Sequence, residues 1–320
     1  MPDRLRHLLG IEPLSAEQVT FLLDQSKPFQ EIQRHPLKKL ATLRGKTVCI
    51  AFFEPSTRTR ISFATAAARL GADTMQLQAE ASSLRKGESL LDTVRTLDAM
   101  KPDCIVLRHG SSGAAHFVAG RLEIPVINAG DGTHEHPTQG LLDALTIRDR
   151  RGRLDGLNVT IIGDIQHSRV ARSNIQLLSK FGCRFTLCGP AMWVPRELEC
   201  LAPNIRREHV LEKALEDAEI VLVLRVQQER LDEPPLPLDE YVLLYQMTPE
   251  RLKQARPDAL VLHPGPMVRG LEIHPEVADG PQSCILEQVT NGLAVRMMLL
   301  FVLLLGGAPT ESQDFAHAAR

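Results

Sequence analysis

Residues 46–73, KTVCIAFFEPSTRTRISFATAAARLGAD, change periodicity once. The opening KTVCIAFF is apolar and β-rich, whereas from Ile61 the apolar residues recur at helical spacing until Gly71 closes the run. The stretch therefore reads as strand, turn and helix. Its turn gathers hydroxyls and arginines at the point where the strand hands over to the helix. The first N–H groups of a helix lack intrahelical acceptors and face whatever lies above the strand end. Ser56, Thr57 and Thr59 add hydroxyl donors there, and Arg58 and Arg60 add charge, so the turn predicts a cup for a phosphate-sized anion. The competing reading is a helix cap with solvated arginines, which needs a single hydroxyl. Three hydroxyls and two arginines exceed that need.

Outward from this stretch, short β-rich runs alternate with longer helical ones. Helices are expected from Ser15 to about Ala41, from 60, over 88–100 and over 113–121, and strands over 47–53, 73–77, 103–108 and 124–127. HPTQGLLDALTIRDRRGRLDG (136–156) reads as a helix and a charged connector. A second series of strands follows in NVTIIGDI, RFTLCGP, AEIVLVLRV and DALVLHPGP, with SRVARSNIQLLSKFG as a helix. The alternation predicts an α/β protein of two domains, each with a mostly parallel β-sheet flanked by helices, and a ligand cleft between them. The expected boundaries are 1–138 for the first domain and 139–282 for the second, with 139–150 as a linking helix. Residues 283–320 are expected to supply a C-terminal helix packing back on the first domain.

The 320 residues carry a net charge of -2, with 43% hydrophobic and 24% charged residues, so no bulk field favours nucleic acid. The six cysteines form no C-x-x-C pair and read as buried thiols of a reducing compartment. The amino-terminal stretch has charges throughout and no apolar signal core, and MMLLFVLLLGG (297–307) is too short an apolar run for a membrane span. A cytoplasmic protein without membrane or nucleic-acid partners is expected. There is no phosphate-binding G-x-x-x-x-G-K-[ST] loop, and GDIQHSRVARS has one glycine where a dinucleotide fingerprint needs three. G-x-S-x-G and H-E-x-x-H are also missing, so neither a cofactor nor a metal is expected. Direct transfer by positioning and electrostatics is the chemistry that remains.

Six polar clusters fall at predicted strand ends: EPSTRTR, RHG (108–110), NAGDGTHEHPTQ (128–139), GDIQHSR (163–169), RVQQERLD (225–232) and HPGPMVRG (263–270). His136 precedes Pro137 at a helix start, where a rigid, uncharged ring would suit donation to a polarised carbonyl. His134 competes for that role, and spacing does not choose between them. Arg169 and Arg225 follow strands of the second domain, and two arginine forks match a substrate with two carboxylates. Gln227 faces the same side as Arg225 if the chain stays extended, and Asp164 and Asp232 are placed to orient the arginines. AEASSLRKGESLLDT (79–93), with Lys86, reads either as a loop closing over phosphate or as a solvated loop.

Together FFEPSTRTRISF, SSLRKGES, RHGSSG, HEHPTQGLLD, GDIQHSR, RVQQERLD and HPGPMVRGLEI resemble, in order along nearly the whole chain, the catalytic chains of the aspartate carbamoyltransferase family. STRTR is common to all carbamoyltransferases, and the full combination is far more selective. The resemblance implies transfer of a carbamoyl group from carbamoyl phosphate to L-aspartate in pyrimidine synthesis. It implies a carbamoyl-phosphate-binding first domain, an aspartate-binding second domain, and sites shared between the chains of a homotrimer. Ser56, Thr57, Arg58 and Thr59 would hold the phosphate, Arg108 would bridge phosphate and carbonyl, His136 would touch the carbonyl oxygen and Gln139 would hold the carbamoyl nitrogen. Main chain at Pro264 and Gly265 would contact the reacting groups. Ser82 and Lys86 would arrive from the neighbouring chain, Arg169, Arg225 and Gln227 would clamp aspartate, and Glu54 would help hold a closed state. Arg58, Thr59, Arg108 and His136 are the catalytic set under this reading. Regulatory or dihydroorotase-like partner chains are left open.

Two features depart from the best-known members: Gly265 and Met267 replace bulkier or basic residues, and EPPLPLDEYVLLYQM (233–247) is proline-rich where a mobile loop is usual. Two alternatives stand beside the family reading. One is a sister enzyme taking ornithine or another amine, although those typically show HPCQ and HCLP where this chain has HPTQ and HPGP. The other is a non-catalytic anion-binding or regulatory protein on the same fold.

Overall fold

The computed structural model describes residues 5–78, 88–226 and 236–306. The chain forms two compact units, one of Met1–Leu141 with Thr290–Arg320 and the other of Leu142–Val289.

The first unit opens with α1 (Ala16–Arg34), set by a capping box in which Ser15 Oγ accepts from Gln18 N and Ser15 N donates to Gln18 Oε1. This helix ends at Arg34, short of the expected Ala41. Pro36 forces His35 into extended backbone, which stops the helix. Then come β1 (Thr47–Phe52), α2 (Thr57–Arg69), β2 (Asp73–Gln78), α3 (Leu90–Ala99), β3 (Cys104–His109), α4 (Ala114–Ala119), β4 (Val126–Asp131) and the start of α5 (Pro137–Arg151), whose residues from Leu142 onward belong to the second unit. The sheet is wholly parallel in the order β2-β1-β3-β4. Cys49, Ala51, Ile105, Leu107, Val94, Val118 and Val126 form its core with α3 and α4.

Strand β4 runs past the expected Ile127 through Asn128-Ala-Gly-Asp131, residues whose composition reads as loop. Leu8 lies alongside it, donating to Val126 O at 3.0 Å and accepting from Asn128 N at 2.8 Å. The final turns of α11 (Ile285–Leu305) belong to this unit, with Phe301 packed on Phe29 and Arg296 donating to Ser62 Oγ at 2.8 Å. Helix α11 is long and apolar enough to cross a membrane by length and composition, yet most of it is buried inside the protein.

The second unit contains β5 (Asn158–Ile162), α6 (Arg169–Ser179), β6 (Arg184–Cys188), β7 (Ile205–Glu208), α7 (Leu211–Leu215), β8 (Ile220–Val223), α8 (Leu238–Tyr245), α9 (Pro249–Leu252), β9 (Leu260–Leu262) and α10 (Pro275–Ala278). Its parallel sheet has the order β7-β6-β5-β8-β9. Strand β7 was not expected, because an edge strand reading IRRE carries no apolar alternation. Helix α8 occupies part of the proline-rich stretch expected to behave as a loop, and it buries Tyr241 and Tyr245, with the Trp193 ring packed at a tilt against Tyr241. A buried polar knot joins three helices: Asp143 of α5 accepts from Asn174 of α6 at 2.8 Å and from Gln288 of α11 at 2.6 Å.

All six cysteines are free, and five are buried; Cys200 is the exposed exception to the buried-thiol expectation. Burial pushes the Cys49 thiol up to about 11 and Cys188 up to about 12, so neither is a ready nucleophile.

Candidate active site

In a parallel sheet, ligands collect beyond the carboxyl ends of the strands where strand order reverses. The first sheet reverses between β1 and β3, the second between β5 and β8. The arginine-bearing clusters EPSTRTR, RHG and GDIQHSR, and Arg225, lie at those two points.

At the first reversal, Phe52 is in register with Arg108, and Phe53 N donates to Arg108 O at 2.8 Å. The EPSTR turn and Arg108 are thereby fixed as neighbours. Helix α2 starts at Thr57, three residues before the expected 60, so Thr57, Arg58 and Thr59 all lie in its first turn. Ser56 is its N-cap in extended backbone, but its side chain makes no capping hydrogen bond, and no acidic residue occupies the first turn. In contrast, Ser15, Ser89, Ser168 and Thr248 all cap their helices through side-chain oxygens. The simple capping alternative for Ser56 is thus not what forms. Thr59 is buried, Ser56 half-buried and Arg58 exposed at the rim.

The Arg108 guanidinium is held from two sides. Its Nη1 donates to Ala129 O of β4 at 3.2 Å, and its Nε lies 3.6 Å from the Glu54 carboxylate, both side chains being mostly buried. His136 and Gln139 sit at the start of α5, at the same edge of the sheet, and both are buried. Thr138 Oγ1 lies 3.4 Å from His136 Nδ1, while Gln139 N and Gly140 N both donate to His136 O. Of the two histidines that spacing left open, His134 points its Nδ1 to Asp131 at 3.1 Å and is half-buried. That hydrogen bond to Asp131 raises its pKa above the ordinary histidine value.

At the second reversal, Arg169 is the first residue of α6 and only 4% exposed, and Ser168 caps that helix through Ala171 N. Arg225 follows β8, whose Val223 pairs with Ile162 of β5, so the two arginines rise from adjacent strand ends. Asp164, expected to orient an arginine, accepts from His167 N and lies 2.9 Å from the His167 ring nitrogen. The next strand end carries HPGP. There Gly265 N donates to His263 Nδ1 at 2.8 Å, which leaves His263 Nε2–H to donate to Glu272 Oε1 at 3.1 Å. Val268 N donates to the same oxygen at 2.6 Å, so one buried carboxylate grips the turn that presents Pro264 and Gly265. Gly265 adopts φ 61, in the left-handed region that glycine enters without a Cβ penalty. Ser82, Lys86, Gln227 and Asp232 lie outside the described residues.

Three supporting residues escaped the sequence reading: Asp131 and Glu135, which tie down the turn before His136, and Glu272 behind the HPGP turn. Glu135 bonds 124 residues away, whereas Asp131 and Glu272 bond mainly to nearby backbone and histidines, contacts that no motif spacing announces.

This arrangement agrees with the comparisons to known proteins. Residues 6–149 match the family model for the carbamoyl-P binding domain of aspartate/ornithine carbamoyltransferase, and residues 155–303 match that for its Asp/Orn binding domain. The chain therefore belongs to the aspartate/ornithine carbamoyltransferase family. It is 53% identical over 307 residues to the aspartate carbamoyltransferase catalytic subunit of Syntrophotalea carbinolica, covering 96% of this chain and 97% of that one. The aspartate transcarbamoylase of Trypanosoma cruzi, solved with N-(phosphonacetyl)-L-aspartic acid, superposes with TM-score 0.86 at 31% identity, covering 93% of this chain and 96% of that one. The ornithine carbamoyltransferase of Pyrococcus furiosus gives TM-score 0.81 at 29% identity, over 94% and 97% of the two chains. Fold alone therefore does not separate the two amines; the residues at the second reversal must.

Proposed function

We propose that this protein transfers the carbamoyl group of carbamoyl phosphate to the α-amine of L-aspartate, giving N-carbamoyl-L-aspartate and phosphate at an early committed step of pyrimidine synthesis. The observation that carries this reading is the matched pair of strand-order reversals. One presents a helix start without a side-chain cap, bearing Arg58, and the strand end bearing Arg108; the other presents Arg169 and Arg225. The first set suits a phosphate, and the second suits two carboxylates.

Under this reading Ser56, Thr57, Arg58 and Thr59 hold the phosphate, and Gln139 holds the carbamoyl nitrogen. Arg169, Arg225 and Gln227 clamp aspartate, and the main chain at Pro264 and Gly265 contacts the reacting groups. The uncharged amine attacks the carbamoyl carbon, and the charge that grows on the carbonyl oxygen is stabilised by Thr59, Arg108 and His136. The departing phosphate accepts the amine proton, so no carboxylate base is required. Alignment of the two substrates contributes roughly 7–11 kcal/mol of the barrier reduction. The enzyme works in the cytoplasm as a homotrimer, with Ser82 and Lys86 of one chain serving a neighbour's site; a solution mass shows whether regulatory or dihydroorotase-like chains join it.

Product assays with aspartate and ornithine test the reading. A cationic ornithine side chain facing Arg225 costs several kcal/mol in a shielded site, so only trace carbamoylation of ornithine is expected. Comparable turnover of both amines overturns the assignment.

A further inference from the structure

Beside the carbamoyl-phosphate cup, three elements of the first unit bring together donor groups that the proposed reaction does not use. His116 lies on α4, Asp131 ends β4, and His134 lies in the turn from β4 to α5. One ligand atom from each lies within 4.8 Å of the other two. We propose that His116, Asp131 and His134 form a binding site for a divalent transition-metal ion of the zinc or cobalt type.

The site is built around a fixed carboxylate. Asp131 is 1% exposed, and its Oδ1 accepts from Asn128 Nδ2 at 2.8 Å. Its Oδ2 accepts at 2.7 Å from the amide of Gly113, the N-cap residue of α4, so the same group anchors the helix that carries His116. The turn is tied to Asp131 as well, through His134 N to Asp131 O at 3.0 Å and Glu135 N to Asp131 Oδ1 at 3.2 Å. His134 and the backbone that carries His116 are consequently placed relative to one buried anion before any ion arrives.

The spacings fit an ion of this class. His134 Nδ1 and Asp131 Oδ2 are 3.1 Å apart. Two donors each about 2.1 Å from a metal subtend roughly 95° across such a gap, a normal angle between adjacent ligands. The His116 and His134 rings meet edge-on with centroids 5.7 Å apart. Imidazoles that share an ion through bonds of about 2.1 Å have centroids roughly 5–6 Å apart. The ion replaces the proton between His134 Nδ1 and Asp131, and that proton leaves to solvent. His116 is exposed and His134 half-buried, so the ion can enter from solvent and complete its shell with water. Imidazole and carboxylate donors favour zinc-type ions over magnesium or calcium, which prefer all-oxygen shells. No sequence motif announces the site, because its ligands stand 15 and 3 residues apart on a helix, a strand end and a turn.

The test is titration of chelator-treated full-length protein with Co2+, whose visible absorption reports its ligands. One equivalent per chain with a nitrogen–oxygen spectrum is expected, weakened at least tenfold in H116A and in H134A and unchanged in C200A. His116 is exposed, so H116A should keep the parent's circular dichroism and melting temperature without metal. The proposal is overturned if H116A binds Co2+ as tightly as the parent, if binding shows a thiolate charge-transfer band lost in C200A, or if no binding occurs at millimolar Co2+.

Discussion

The Glu135 carboxylate closes on the Ile11 amide, with that N–H 2.9 Å from both carboxylate oxygens and the Glu12 N–H 3.3 Å from one of them. A residue adjacent to His136 thus fastens the amino-terminal segment to the strand-end turn. Truncation in E135A strands buried backbone donors and should destabilise the protein by about 1–3 kcal/mol, with E135Q losing less because one acceptor remains. Urea denaturation of the three proteins checks this; an unchanged midpoint in E135A refutes it.

Gly10 lies against the same carboxylate, and a Cβ built there runs into Glu135 Oε1. G10A should therefore destabilise the parent clearly, yet cost much less in the E135A background, where the obstructing group is gone. A double-mutant cycle should return a coupling of about 0.5 kcal/mol or more. Additive effects would show that Gly10 is needed for some other reason.

Burial depresses the pKa of His109 below the ordinary value of 6.5, despite opposing pulls from Glu54 and Asp131. Its ring packs on Phe53, and its Nδ1 accepts from Ser111 N, so the fold favours the neutral form. The unfolded chain then binds the proton more readily. Stability should fall as pH drops below about 6.5 and level off below the depressed value. H109Q should show a shallower pH dependence of its urea midpoint over that window; an identical slope rejects the role of His109.

The proposed sharing of Lys86 has a sharp consequence. K86A and R225A trimers should each be nearly inactive, whereas dissociating and remixing them in equal amounts should restore about a quarter of wild-type activity. Three-quarters of random trimers are mixed, and each mixed trimer holds one intact site of three. If mass analysis confirms exchange while activity stays at the parental floor, Lys86 does not serve a neighbouring site.

Much of this architecture was legible because parallel strands covered on both faces are continuous apolar runs, as in CIAF, IVLV and LVL. The proposed anion cup and arginine pair drew attention for the opposite reason: no packing requirement explains hydroxyls and guanidinium groups at strand ends. What escaped were features set by distant partners. Glu135 finds its donors 124 residues away, and nothing near it in the sequence signals a clamp. Strand β7 is defined by pairing at a sheet edge and has no apolar signature. The end of α1 was marked by Pro36, a local signal outweighed in the reading by the helical composition that follows it.

The unit that contains Arg58 and Arg108 is discontinuous in sequence, joining Met1–Leu141 to Thr290–Arg320. On the ribosome, Leu142–Val289 is complete in sequence before the helical segment bearing Arg296 and Phe301 has been made. The amino-terminal half must wait for it, with Phe29 and Ser62 lacking their partners. Domains usually mature in order of synthesis. Here the inverse order is expected, with the carboxyl-terminal turns of α11 completing the first unit last: a nascent chain stalled before residue 290 should leave its amino-terminal half protease-sensitive while Leu142–Val289 is already protected.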